Sequence, residues 1–127
     1  MAKEIIRTKE APQAIGPYSQ AVKAGGFVFL SGQIPLDPET GEICGPDIES
    51  QTKRVMKNLE AVLKAAGTGM EKAVKTTIFL TNLSDFTVVN EIYGSYFKEN
   101  PPARATVEVS GLPKGVLVEI EVTALAA

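Results

Sequence analysis

Two segments of the chain carry apolar residues at helical spacing on one face and mostly polar residues on the other. The first runs from Asp47 to Gly67, and the second covers residues 86–97. A helix with a single apolar face must bury that face against another layer, and several of the remaining segments have the composition of strands. The pattern therefore predicts an α/β (α+β) fold, a two-layer sandwich with both helices on one face of a mixed sheet.

The sheet is predicted to contain about six strands. They are residues 3–8, 19–24, 27–33, 73–80, 104–109 and 116–124, the last of which alternates apolar and polar side chains. Gly25-Gly26 favours a tight hairpin between the second and third strands, because glycine tolerates the positive φ angles of such turns. A second hairpin, joining 104–109 to 116–124, is one way to pair the last two strands, although alternation alone does not prove it.

Both helices carry recognisable end signals. Asp47 is predicted to cap the first helix, since its carboxylate can accept from the free amides of the first turn, and Gly67 to end it in a left-handed turn. Ser84 is predicted to cap the second helix, and Pro101-Pro102 to end it.

Composition limits the chemistry that the chain can perform. Its 127 residues suit a single domain, 1–127, and they include no His and one Cys, Cys44. Catalysis by imidazole, a structural zinc site and an internal disulfide are therefore excluded. The 13 Lys and Arg residues against 15 Asp and Glu residues give a formal charge of −2, which argues against a dedicated nucleic-acid surface.

The apolar residues also bear on location and assembly. The N-terminal segment lacks the apolar stretch of a secretory signal, and no apolar run approaches the roughly 20 residues that span a bilayer. We therefore expect a cytoplasmic protein with no membrane partner. Because both helices are predicted to cover one face of the sheet, the other face stays partly apolar, and the chain is expected to form an oligomer through it.

Two charged residues are candidates for chemistry. Glu119 lies in the most apolar strand, between Val118 and Ile120, where Glu is uncommon. Arg104 follows Pro101-Pro102-Ala103, a rigid entry that would fix the direction of its guanidinium toward a carboxylate or phosphate. Both residues also suit an ion pair or a solvated strand face, and the pattern alone leaves these interpretations open.

Weaker signals occur outside these strands. Ser31-Gly32 follows an apolar run, where glycine would let a ligand approach the backbone, but a bulge or a turn is the more common explanation. Tyr18 either offers a phenol to a ligand or packs as an ordinary aromatic residue. Cys44 has no His to activate it and is interpreted as incidental.

Three motifs together resemble the Rid family, the reactive intermediate deaminases also called the YjgF family. They are Ala14-Ile15-Gly16-Pro17-Tyr18-Ser19-Gln20, Ser31-Gly32-Gln33-Ile34-Pro35 and PPARATVEVSGLPKGVLVEIE at residues 101–121. The resemblance covers nearly the whole chain. It implies a fold similar to that of a chorismate mutase, and a homotrimer with active sites in clefts between subunits.

The activity that the resemblance implies is hydrolysis of 2-imino acids and their enamine tautomers, such as 2-aminoacrylate and 2-aminocrotonate, to 2-keto acids and ammonia. Serine and threonine dehydratases that use pyridoxal phosphate would supply these small substrates, and the reaction itself would need no metal or cofactor. The resemblance also assigns roles. Arg104 would hold the substrate carboxylate, Glu119 would orient or deprotonate the attacking water, and further substrate-binding residues would be Tyr18, Ser31, Gly32, Asn90 and Thr106, the last standing where many members have Cys.

Other functions stay open on the sequence alone. A non-catalytic sensor of small carboxylates would need Arg104 but not the carboxylate of Glu119. An RNA-cleaving or translation-inhibiting role is attributed to some relatives, and it would require salt-dependent RNA binding. A structural chaperone would need neither residue.

Overall fold

The computed structural model describes residues 2–127. Its strands are β1 (Glu4–Ile6), β2 (Ala21–Ala24), β3 (Phe27–Gln33), β4 (Ala73–Leu80), β5 (Ala103–Glu108) and β6 (Val118–Leu125). Its α-helices are α1 (Ile48–Ala65) and α2 (Phe86–Gly94), and three single-turn 3-10 helices lie in the connections. Within these residues no helix combines the length and the apolar character needed to cross a membrane.

The strands form one mixed sheet in the order β1-β2-β3-β6-β4-β5. Neighbours are antiparallel except β4 and β5, which are parallel and are connected through α2. The apolar faces of both helices join one core cluster with alternate residues of the central strand β6, namely Val118, Ile120 and Val122. The predicted two-layer sandwich with a six-stranded mixed sheet is therefore confirmed.

Several predictions based on short-range signals are confirmed. Gly25 and Gly26 turn between β2 and β3 with φ angles of 60° and 84°. Asp47 caps α1, where its carboxylate accepts from the backbone N–H of Ser50 at 2.9 Å. Gly67 follows the helix with a φ of 83°, the left-handed conformation expected there.

The predicted ends of the second helix are wrong. The α2 helix stops at Gly94 instead of continuing toward Pro101-Pro102, because glycine favours helix ends and the next residues form tight turns that keep Phe97 buried. Ser84 does not cap α2. It lies in a 3-10 turn that precedes the helix, where the Asn82 side chain accepts from the Ser84 N–H at 2.9 Å.

The hairpin considered for residues 104–109 and 116–124 is also wrong. Strand β4 lies between β5 and β6 and pairs with both. Hydrogen bonds continue on both sides of β4 at its C-terminal end. On the β5 side, the N–H of Val109 donates to the carbonyl of Leu80 at 2.8 Å. On the β6 side, the N–H of Thr81 donates to the carbonyl of Leu117 at 3.2 Å. Alternation gave the correct faces of each strand but could not identify which strands were neighbours.

The face of the sheet without helices carries apolar side chains, as expected. Phe27 lies opposite Leu125, and Phe29 lies one pair further along the same face. Phe27 is 38% exposed, Leu125 is 40% exposed and Phe29 is 47% exposed. Val107 of β5 is a further exposed apolar residue, at 41%. We call this surface the open face. It supports the expectation of an oligomer, which stays a prediction.

Candidate functional site

One cavity of about 500 Å³ contains four of the predicted site residues: Tyr18, Ser31, Gly32 and Glu119. We call it the Glu119 cavity. It lies where β3 and β6 meet three loops, and its wall also includes Pro12, Gln13, Ile15, Gln20, Gln33, Ile34, Leu36, Pro113 and Lys114. The wall is mainly apolar with a few polar groups, which is typical of binding sites for small molecules.

Gly32 makes room for the Glu119 carboxylate. The register of β3 against β6 shifts between Leu30 and Gln33, so the chain bulges at Ser31-Gly32. A Cβ atom on Gly32 would lie 2.9 Å from Cδ of Glu119 and would overlap one of its carboxylate oxygens. The bulge interpretation of Ser31-Gly32 is therefore confirmed, and the same bulge forms part of the cavity.

Gly32→Ala is expected to displace the Glu119 carboxylate while the chain still folds, because the side chain can rotate away from the added methyl group. Misplacing a reacting group by about 1 Å costs on the order of 10²-fold in rate. The measurement is kcat of the variant on the substrate proposed below, with circular dichroism to check folding. Gly111→Ala is the matched control, since an added Cβ there meets nothing within 4 Å. Unchanged kcat in Gly32→Ala would contradict this account.

The Glu119 side chain is half-buried, and within residues 2–127 its carboxylate has no hydrogen-bond or ion-pair partner. Burial raises the pKa of Glu119 above its ordinary value, and the nearby negative charge of Glu121 raises it further. The group therefore keeps its proton to a higher pH than an exposed glutamate does. A carboxyl group of this kind is suited to proton transfer closer to neutral pH.

The raised pKa predicts a pH-dependent effect on stability. Folding raises the affinity of Glu119 for a proton. The favourable contribution of Glu119 to the free energy of unfolding is therefore full below the ordinary pKa of a glutamate, and it is lost as the pH rises through the pKa of Glu119 in the folded protein. Glutamine keeps a neutral side chain at every pH. Glu119→Gln is therefore expected to raise the melting temperature at pH 8 and to change it little near pH 4.

Thermal unfolding at one fixed protein concentration measures this effect. The exposed loop variant Glu39→Gln controls for the loss of one negative charge. A Glu119→Gln variant that melts below the parent at pH 8 would contradict the assignment of a destabilising buried charge.

Ser31 and Tyr18 contribute polar groups to the same cavity. The hydroxyl of Ser31 donates to the carbonyl of Ser19 at 2.6 Å, so only its lone pairs are free to accept from a ligand. Tyr18 is 54% exposed, and its hydroxyl accepts from the N–H of Ile15 at 3.4 Å. Tyr18 is therefore not packed in the core, and its side chain lies at the cavity wall; a ligand-binding role for its phenol stays a prediction.

Buried amide side chains hold the loops of the cavity, and sequence analysis missed them. Gln20 donates to the carbonyls of Thr8 and Pro12 at 3.0 and 2.7 Å. From α1, Asn58 donates to the carbonyl of Leu36 at 3.1 Å, and Gln51 accepts from the N–H of Leu117 at 2.8 Å. The available signal was the presence of amides beside the apolar stripe of α1, where a polar side chain needs a buried partner.

Arg104 lies on the opposite face of the sheet, the face covered by the helices. It sits opposite buried Thr76 in the β4–β5 register, whereas Glu119 sits opposite Phe79, so the two side chains point to different faces. The guanidinium donates through Nη1 to Oδ1 of Asn90 at 2.7 Å. Most of its donors stay free for a ligand.

Two aromatic rings of α2 fix the direction of this guanidinium. Its central carbon lies 5.1 Å from the ring centroids of both Phe86 and Tyr93, a favourable cation–π distance. The hydroxyl of Tyr93 is itself held by a buried hydrogen bond of 2.7 Å with Thr76. Arg104 is therefore exposed but oriented, as recognition of a planar anion requires.

Thr106 is two residues beyond Arg104 on the same strand face. Its hydroxyl oxygen is buried, and within residues 2–127 it has no hydrogen-bond partner. We call Arg104, Asn90 and Thr106 the Arg104 group; none of the three lines the Glu119 cavity. A single chain thus presents the predicted site as two separate halves.

Comparison with known proteins identifies the family of the chain. The model of a family described as Endoribonuclease L-PSP matches residues 8–126. The chain belongs to this family, the Rid or YjgF family. It is 56% identical to a RutC family protein of Pyrococcus abyssi, with 98% of each chain covered. A solved structure of a Rid protein from Yersinia pestis is 58% identical and superposes with a TM-score of 0.94 over 98% of this chain and 99% of that one.

Rid proteins carry names for more than one activity. Reactive Intermediate Deaminase A of Arabidopsis thaliana is 50% identical to this chain, over 94% of the chain and 64% of that protein. The family model itself is described as an endoribonuclease. The resemblance seen in the sequence is confirmed at the level of the Rid family, and the choice of activity has to be argued from the site.

Proposed function

We propose that this chain hydrolyses short 2-imino acids and their enamine tautomers to 2-keto acids and ammonia. The observation that carries the proposal is the carboxylate of Glu119, which is half-buried, raised in pKa and seated over Gly32 in a small, largely apolar cavity. The activity in the name of the relative from Arabidopsis thaliana supports it.

The chemistry needs few groups, because the carbon of an imine is already electrophilic. Glu119 accepts a proton from a water molecule while the oxygen of that water molecule attacks C2 of the protonated imine. The same carboxyl group then returns the proton to the nitrogen, the C2–N bond breaks and ammonia leaves. The remaining hydroxyl proton is lost to form the keto group. Positioning and proton transfer are each recognised sources of rate acceleration.

The lone pairs of Ser31 suit this reaction. Since its proton is engaged by Ser19, the hydroxyl can accept a hydrogen bond from the imine N–H or from the attacking water. The bulge at Gly32 leaves space for the reacting carbon beside the carboxylate. These contacts would hold the electrophile and the proton acceptor together.

Recognition of the substrate carboxylate requires Arg104, and in one chain Arg104 faces away from the Glu119 cavity. A second copy of the chain would bring its Arg104 group to this cavity. Joining two different surfaces in this way builds a ring of identical contacts when the rotation between copies closes. We propose a homotrimer with three shared sites, in which the apolar open face is buried between subunits.

Substrates would come from enzymes that eliminate water from hydroxyl-bearing amino acids, such as pyridoxal-phosphate-dependent serine and threonine dehydratases. Their enamine products have the short side chains and single carboxylate that this site suits. The proposed hydrolysis uses no metal or cofactor. The proposed location of the protein is the cytoplasm.

A coupled assay tests the proposal. A dehydratase generates 2-aminoacrylate from serine, and pyruvate release is followed with and without this protein at equal dehydratase activity. We expect faster conversion of the intermediate to pyruvate. A rate equal to spontaneous hydrolysis would overturn the proposal, and RNA cleavage by the same preparation would favour the endoribonuclease description of the family.

A further inference from the structure

Lys114 occupies an unusual backbone position in the wall of the Glu119 cavity. It lies between Pro113 and Gly115 with φ and ψ angles of 58° and 16°, which is the left-handed region. Among residues 2–127 the only other residue besides glycine with a positive φ is Asn100, and asparagine tolerates this region well. Glycine or asparagine would suit position 114 better, so the fold does not explain the lysine.

The charge of Lys114 is not used inside the chain. In the described residues the one ion pair joins Lys53 to Glu49, and the Lys114 ammonium makes no hydrogen bond. Lys114 is also the single cationic residue in the wall of the cavity. The other candidate cation, Arg104, lies on the other face of the sheet. The cavity of one subunit therefore holds one cation without a partner and one carboxylate, that of Glu119.

We propose that Lys114 is a specificity residue that attracts anionic substrates into the Glu119 cavity. This inference rests on the proposed function and adds to it a second cation, in the cavity wall, that draws the substrate carboxylate into the site. A cation in the wall of a concave site raises the local concentration of anions and their rate of entry. Arg104 of a second copy would then hold the carboxylate during the reaction.

This role predicts a specific kinetic signature, because Lys114 acts on entry and not on the reacting atoms. Lys114→Gln should lower kcat/KM about tenfold at low ionic strength and leave kcat unchanged. The difference from the parent should disappear at about 1 M salt, where charges are screened beyond about 3 Å. Lys114→Arg, which keeps the charge, should stay within about twofold of the parent.

Lys64→Gln is the matched control. It removes the same charge from the exposed last turn of α1, and Lys64 does not line the Glu119 cavity. Its kcat/KM and salt dependence should equal those of the parent. Equal loss in both Gln variants would reflect net charge alone and would overturn the proposal.

Binding of pyruvate measured by calorimetry gives a readout that does not depend on turnover. The dissociation constant of Lys114→Gln at low salt should be about tenfold weaker than that of the parent. Unchanged binding and unchanged kcat/KM in this variant would overturn the inference about Lys114. Absent turnover in the parent chain, together with weakened pyruvate binding in the variant, would overturn the proposed hydrolysis and leave the inference about anion attraction standing.

A third variant separates charge from folding. Lys114→Asn removes the charge but suits the left-handed backbone, so it should lose kcat/KM like Lys114→Gln while its melting temperature stays at or above that of the parent. A loss of kcat/KM that follows a loss of melting temperature across the variants would make Lys114 structural, and would overturn the proposal.

Discussion

Arg104→Ala is expected to lower kcat/KM on 2-aminoacrylate by about 10²- to 10³-fold, since charge-assisted pairing of a guanidinium with a carboxylate contributes strongly to binding. The guanidinium is exposed on β5 and is oriented by Asn90 and two rings of α2, with most of its donors free. Its removal leaves the core intact. The variant should therefore fold and assemble as the parent does while it fails to hold substrate.

Two further variants separate charge from orientation. Arg104→Lys keeps a cation but loses the planar fork, so we expect an intermediate loss. Asn90→Ala keeps the guanidinium and removes the acceptor of its Nη1 donor, so a smaller loss is expected. An Arg104→Ala protein that hydrolyses 2-aminoacrylate as fast as the parent would contradict the role assigned to this residue.

Glu119→Gln is expected to lower kcat by about 10²- to 10⁴-fold, the usual contribution of a positioned general acid or base. Glutamine has nearly the same shape and fits over Gly32, but it cannot accept and return a proton. Binding of pyruvate should be retained because the cavity is unchanged in form. Steady-state kinetics and calorimetry on the same preparation measure the two quantities.

Glu121→Gln is the matched control, because Glu121 is an exposed carboxylate of the same strand face that does not line the cavity. We expect it to keep most of its turnover. Its negative charge raises the pKa of Glu119, so the acid limb of its pH profile should move to lower pH. Full turnover in Glu119→Gln would remove the carboxylate from the mechanism and would contradict the proposed role of Glu119.

Features set by short stretches of sequence could be predicted. The Asp47 cap and the turn at Gly25-Gly26 depend on contacts between near neighbours, and both occur as expected. The alternation of β6 identified its buried face because side chains of a strand alternate strictly. Glu119 and Arg104 were found as charges in unusual local settings, and the family motifs gave them roles.

Features set by long-range contacts could not be predicted. The choice of β4 as the neighbour of β5 depends on hydrogen bonds between strands distant in sequence. As a result, the sequence did not reveal that Arg104 and Glu119 point to opposite faces of the sheet. Gln20 was missed for the same reason, since its partners at Thr8 and Pro12 are visible only in the fold.

Complementation between inactive subunits tests the central claim, that Glu119 of one copy acts with Arg104 of another. Arg104→Ala and Glu119→Gln chains are unfolded together in equal amounts and refolded. At each shared site, the subunit on the carboxylate side retains Glu119 in about half of the cases, and its neighbour retains Arg104 in about half. About one quarter of the sites are therefore intact, and about one quarter of the parent activity per chain should return. Separately refolded variants should stay inactive. No gain of activity in a mixture shown to contain hybrid oligomers would contradict the account.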